Sequence, residues 1–308
     1  MEEDKDALIT QYEIFQGQVS EKYIDYNFQH KNSIYHYTSA EGLMGIVASG
    51  TIRFTEYSSL NDATEGDYIF FVLKSLLNYD IAYDKRFINE IVQHVDANDY
   101  YDVYPDKDLK YFISCFSLNN DSLPMWNYYA NKKGYNINFD FYDIKQEVEK
   151  IQKKYPKNVY FEPYQVLYET EKQKEFLIEH LNYVYKIWKD RKSDFIIKFF
   201  LNYLNSIKFA FKHPAFKSED EVRFVYKIKK EFFNSEIAKT GEKELIKIKE
   251  KNGYFVPFID VPFDKKIVKK ICLSPLYKST QAKESLYFFL NKYGYNAKIE
   301  TSDIPLKY

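Results

Sequence analysis

Cysteine is nearly missing from this chain: Cys115 and Cys272 are the whole supply in 308 residues. That excludes a disulfide framework and a Cys-rich zinc site, and a reduced, cytoplasmic protein is expected. The five histidines, at 30, 36, 94, 180 and 213, show no metal-ligand spacing with cysteine or with one another, so no metal site is expected. There is no Gly-rich phosphate loop, which argues against a Rossmann dinucleotide domain, and no Gly-x-Ser-x-Gly elbow for a Ser–His hydrolase. Neither charge dominates, with 44 basic against 45 acidic residues. A strongly basic nucleic-acid-coating surface is thereby excluded, a local basic cleft is not. No apolar run reaches membrane-spanning length: Phe70 to Leu73 is followed by Lys74, and Phe195 to Ile197 by Lys198. The first six residues are mostly acidic and lack the basic and apolar parts of a secretory signal. No membrane partner is expected.

What is present suffices for a substantial core, since 45% of the residues are hydrophobic. Strand and helix patterns alternate along the chain. Strands are expected at 34–37, 51–55, 111–117, 135–139, 158–168, 221–228, 267–273 and 297–300. Helices are expected at 7–30, 39–48, across 66–98, and at 121–131, 141–154, 169–211 and 279–292. The Lys-rich stretch between 228 and 267 reads as irregular. No linker rich in Gly, Pro or Ser divides the chain. The expectation is one α+β domain over 1–308, carrying a helical insertion at about 141–211.

Four polar islands interrupt the apolar pattern. His36 lies in a short strand, 34–37, and Thr38 follows it directly ahead of a helix. Thr38 and Glu41 have capping-box spacing there, and Gly50 is placed to end the helix. A strand end beside a helix N-terminus favours anions. Asn61, Asp62 and Glu65 form the second island, as a cleft rim or as turn and cap residues. Arg53, on the strand before it, is a phosphate clamp or a surface charge. The third island runs from Cys115-Phe116-Ser117 to Asp121 and then Trp126, Tyr129 and Ala130 at helical spacing. That aromatic stripe reads as core or as a platform for a flat ring. In the fourth, alternation turns Val222, Phe224 and Tyr226 to the core and Glu219, Glu221 and Arg223 to the opposite face, a cleft wall or a wet edge.

Together these residues resemble a bacterial family, the domain of unknown function 2971. The ordered set that carries the likeness is Tyr35 to Ser39 with Gly42-Leu43 and Ile46; Leu60-Asn61-Asp62 with Glu65; Ser114 to Ser117; Asp121-Ser122 with Met125-Trp126 and Tyr129-Ala130; Gly134 to Phe139; Glu219, Glu221 and Arg223; and Ile271 to Pro275 with Ser302 to Pro305. That family looks like a remote branch of the ADP-ribosyltransferases. The resemblance implies an α+β fold, an ADP-ribosyltransferase-like split mixed β-sheet with a helical insertion. It implies NAD as substrate and a protein or nucleic-acid acceptor, in phage defence or as a toxin. Glu221 would be the catalytic carboxylate, with Glu219 upstream and His36 holding a ribose hydroxyl. Tyr37, Thr38, Arg53, Asn61, Asp62, Phe116, Ser117 and Trp126 would complete the NAD site. His36, Phe116 or Ser117, and Glu221 are then expected to line one cleft. An NAD glycohydrolase and a non-catalytic module sensing a nucleotide or a phage protein are the competing readings.

Overall fold

A computed structural model describes residues 2–24, 32–60, 66–78, 83–97, 109–191, 193–241, 244–251, 253–277 and 279–306. Its elements in chain order are α1 (Glu2–Tyr23), β1 (Ser33–Thr38), α2 (Ala40–Ser49), β2 (Thr51–Glu56), α3 (Tyr68–Asn78), α4 (Lys85–Ala97), β3 (Leu109–Ser117), α5 (Leu123–Tyr128), β4 (Tyr135–Asp140), α6 (Phe141–Lys154), β5 (Val159–Gln165), α7 (Thr170–Arg191), α8 (Phe195–Ser206), β6 (Glu221–Lys229), α9 (Lys230–Ile237), β7 (Lys247–Lys251), β8 (Tyr254–Pro262), β9 (Val268–Leu273), α10 (Thr280–Lys292) and β10 (Lys298–Thr301). The chain divides into two compact units. One holds α1, α3, α4, α7 and α8; the other holds the sheet with α2, α5, α6, α9 and α10. The stretch expected as a helical insertion therefore contributes to both: α6 belongs with the sheet, α7 and α8 with the helices.

In the sheet unit the strand order is β10-β9-β4-β1-β3-β2-β8-β7, with β6 paired to β3 and β5 to β6. Among the β1–β3, β1–β4, β2–β3, β2–β8, β3–β6, β4–β9, β7–β8 and β9–β10 ladders, only β9 with β10 is parallel. β6 runs along one whole edge of β3, from Leu109↔Lys229 to Ser117↔Glu221. The other edge of β3 is shared. β2 pairs there at Phe112 and Ile113, and β1 pairs at Ser117. Residues 114–116 lie between the two ladders, so the sheet forks at that edge.

Alternation sorts the strands into two faces. One face carries Phe116, Phe139, Phe224 and Tyr226, all at most 2% exposed. Their rings pack edge-on or tilted against one another and against Phe141 and Phe161. Helix α6 closes this core: Asp140 caps it by accepting from the amides of Tyr142 and Asp143, and Ile144 and Val148 are buried. The Tyr226 hydroxyl donates to the Val148 carbonyl at 2.6 Å.

Two local expectations change. The cap of α2 is Ser39, which accepts from the Gly42 amide at 3.0 Å, in place of a Thr38–Glu41 box. Thr38 is still in β1, paired with Tyr135, so the cap falls one residue later. Gly50 ends α2 as expected, with φ of 64° and its amide on the Ile46 carbonyl. The stretch expected to be irregular contains α9 and a β7–β8 hairpin.

In the helical unit, His180 on α7 is fully buried. Its Nδ1 lies 3.0 Å from the Tyr12 hydroxyl, and its Nε2 has no partner among the described residues. Burial pushes its pKa down to about 3. The unfolded chain therefore binds a proton here that the folded unit excludes. The contribution is complete above about pH 6.5 and is lost as pH falls, at about 1.4 kcal/mol per pH unit. Urea unfolding of the helical unit followed from pH 7.5 to 5 is expected to show this slope. His180→Phe is expected to flatten it, whatever its baseline stability; an unchanged slope assigns the acid sensitivity elsewhere.

Candidate functional site

At the end of β3, where the sheet forks, the side chain of His36 reaches the backbone. Its Nδ1 lies 3.1 Å from the Cys115 carbonyl. A carbonyl only accepts, so Nδ1 carries the proton. Burial holds the ring's pKa below its ordinary value, against a smaller opposing pull from that carbonyl. The imidazole is then neutral at pH 7 and Nε2 is an acceptor. On the same side of β3 as Phe116, the Ser114 hydroxyl is buried and has no hydrogen-bond partner among the described residues.

The carboxylates lie on the other face. Glu221 is 5% exposed and Arg223 1%. Arg223 donates from Nε (3.0 Å) and Nη2 (2.8 Å) to Oε2 of Glu221. Glu219 precedes the strand in the turn Pro214–Glu219, and Asp220, at φ 45°, makes the bend between them. The Tyr129 hydroxyl donates to Glu219 Oε1 at 2.6 Å. Burial and then the Glu219 carboxylate hold that phenol well above its ordinary pKa, with Glu221 and Cys115 adding to the rise. Ser117 ties the parts together: its hydroxyl donates to the Glu219 carbonyl at 2.7 Å and accepts from the Asn119 amide at 3.1 Å.

Several expected ligand contacts are corrected by these positions. His36 and Glu221 reach the same end of β3 but different sides of it, so no single wall carries both. Phe116 is a core residue, packed on Phe139 and Phe224. Ser117 is fully buried and spends its hydroxyl on backbone. Trp126, 1% exposed, sits in a cluster with Tyr37, Met125 and Ala130, and its indole N–H holds Asp121 Oδ1 at 2.7 Å. The Tyr37 hydroxyl accepts from the Ser122 amide and donates to the Asn119 carbonyl. Thr38 is buried in β1. Arg53 is directly opposite Asp260, grips it through two hydrogen bonds at 2.9 and 3.2 Å, and lies over the Phe258 ring. It is a cross-strand pair rather than a phosphate clamp. Asn61, Asp62 and Glu65 lie outside the described residues.

Sequence reasoning passed over Ser114, Tyr129 as a polar group, and Asn136. Each is spelled like its core neighbours, and only the fork or the fold of α5 gives its hydroxyl or amide a task. Asn136 lines a cleft of about 200 Å³ on the carboxylate-bearing face, with Tyr35, Asp121, Asn138, Lys270 and Glu300 among the other walls. Glu221, Ser117, Tyr35, Asn138 and Lys270 follow one another across neighbouring strands. The cleft thus begins two strands, about 10 Å, from Glu221. Cys272 also lines it. Burial first, then Asp121 and Glu300, push its thiol up to about 12, so it is no thiolate nucleophile. No group of potential metal ligands occurs among the described residues, and no helix among them is long and apolar enough to cross a membrane.

No curated protein and no solved structure matches the chain. One family model does match, over a stretch that runs from α5 into β6 and so includes Tyr129, Glu219, Glu221 and Arg223. Across residues 125–224 the chain is similar to the family described as protein of unknown function, DUF2971.

Proposed function

We propose that this protein is an NAD-dependent ADP-ribosyltransferase acting on a macromolecular target, with a role in phage defence or as a toxin. The observation that carries the reading is the carboxylate pair at the end of a forked sheet. Glu221 is fixed by the Arg223 guanidinium and Glu219 by the Tyr129 hydroxyl. Breaking the bond between nicotinamide and ribose C1′ leaves positive charge on the ribose. A fixed carboxylate that binds the neighbouring hydroxyl gains strength as that charge develops. Nicotinamide leaves with the bonding electron pair. The acceptor's oxygen or nitrogen then bonds to C1′ and releases its proton to water, with Glu219 orienting the acceptor.

The test is nicotinamide release from NAD, together with transfer of labelled ADP-ribose to total bacterial protein and nucleic acid. Glu221→Gln is expected to lower nicotinamide release at least about 100-fold. Full activity in folded Glu221→Gln protein removes Glu221 from this role. Release without labelling makes the protein an NAD glycohydrolase. The sensing module is the second reading, favoured by the burial of both carboxylates. NAD binding with no release by the wild type establishes it.

A further inference from the structure

The cleft beside Tyr35 holds a carboxylate with an unusual set of partners. Asp121 accepts from the Trp126 indole (2.7 Å), the Ser302 hydroxyl (2.7 Å) and the Asp303 amide (3.0 Å). All three donors are neutral. They fix the carboxylate's orientation and leave its charge uncountered, for no cationic side chain among the described residues pairs with it. Lys270, the one lysine in the wall, is engaged by Glu300 at 3.0 Å. Lys298, from outside the wall, also engages Glu300 at 2.7 Å, so Asp121, Glu300 and Asp303 outweigh the two lysines by one negative charge.

Asn136 gives a second, independent indication. It is 2% exposed, its Nδ2 donates to the Asn120 carbonyl at 2.7 Å, and its Oδ1 has no partner among the described residues. A buried acceptor left unpaired is destabilising, and a ligand's N–H that reached it would recover that loss. Tyr35 adds an aromatic wall. The cleft is below the size of a drug-like pocket and suits a fragment or a single side chain.

We propose that this cleft binds a guanidinium group. A planar cation with five donors in a fixed fork answers a pre-oriented carboxylate, an orphaned amide oxygen and a ring face together. An anion such as phosphate is disfavoured by the wall's charge. The group could come from a free small guanidine or from an arginine side chain of a partner protein. Neither source requires NAD, so the site stands apart from the transferase reading.

The experiment is a calorimetric titration of the full chain, without NAD, using methylguanidinium, the neutral methylurea, inorganic phosphate and a blocked Gly-Arg-Gly peptide. Saturable methylguanidinium binding is expected, at least tenfold tighter than methylurea and weakened by salt. Asp121→Asn is expected to weaken it at least tenfold. Glu300→Gln, at a part-exposed position where folding is safe, is expected to weaken it severalfold. Peptide binding tenfold tighter than methylguanidinium assigns the source to an arginine side chain; equal binding assigns it to a free guanidine. No saturable binding, equal binding of methylurea, preference for phosphate, or indifference to both substitutions overturns the proposal.

Discussion

Replacing Arg223 with methionine is expected to lower the stability of the sheet unit by about 3–5 kcal/mol. Arg223 and Glu221 are i and i+2 on one face of β6, so alternation sets them side by side. Two hydrogen bonds at 2.8 and 3.0 Å join them, and both are almost completely buried. Their attraction offsets a desolvation cost paid by each. Removing the cation leaves that cost on the carboxylate with its main counter-charge gone. The same reasoning applies to Glu221→Gln, which takes a buried carboxylate away from a buried guanidinium. A loss of turnover in that variant is therefore interpretable only beside its unfolding curve. The double variant Glu221→Gln/Arg223→Met separates the effects, because it removes both charges and keeps similar volume. Urea unfolding of the four proteins forms a thermodynamic cycle. The double variant is expected to recover stability relative to the Arg223→Met protein while remaining inactive toward NAD. A cost below about 1 kcal/mol for Arg223→Met would show that water screens the pair as it does at a surface.

The sequence made that pair legible because a strand's period of two is a strong rule. It placed Glu221 and Arg223 together, opposite Val222, Phe224 and Tyr226. It did not show that β6 is buried on both faces, since a charged face reads as a wet one until its partners are known. His36 was legible as an unusual residue but not in its position. Its neighbour in space is the Cys115 carbonyl, at the stretch of β3 where β1 and β2 share one edge. That is a fact of topology, which local patterns do not carry. Trp126 was legible as core or as a platform for a flat ring, and local pattern could not choose; it packs inward with Tyr37, and both use their polar tips to hold the 119–122 loop. The β7–β8 hairpin escaped because Lys247-Ile248-Lys249-Glu250-Lys251 is mostly charged. It pairs along β8 as an exposed edge, where lysines are suited to blocking further pairing.

Gly134→Ala is expected to cost more than about 4 kcal/mol, the range reserved for a clash that the structure cannot relax. A methyl group at this position would lie 2.2 Å from the Thr38 carbonyl oxygen and 2.4 Å from the Ala130 carbonyl oxygen. Both are backbone atoms, so no rotamer change relieves the overlap. Thr38 is held in register against Tyr135 at the start of β4, and Ala130 is completely buried just after α5. Relief requires β1 and the end of α5 to separate from β4. That movement would also carry Tyr129 off Glu219, since Tyr129 is the residue that ends α5. Gly45→Ala provides the comparison: an added methyl there meets nothing within 4 Å. In the middle of α2 it is expected to stabilise by about 0.5–1 kcal/mol through helix propensity. Thermal melting of the two variants beside the wild type should move in opposite directions. If Gly134→Ala melts with the wild type, β1, β4 and α5 do not meet as closely as the fold requires. The route by which α5 presents Tyr129 to the carboxylates would then be lost.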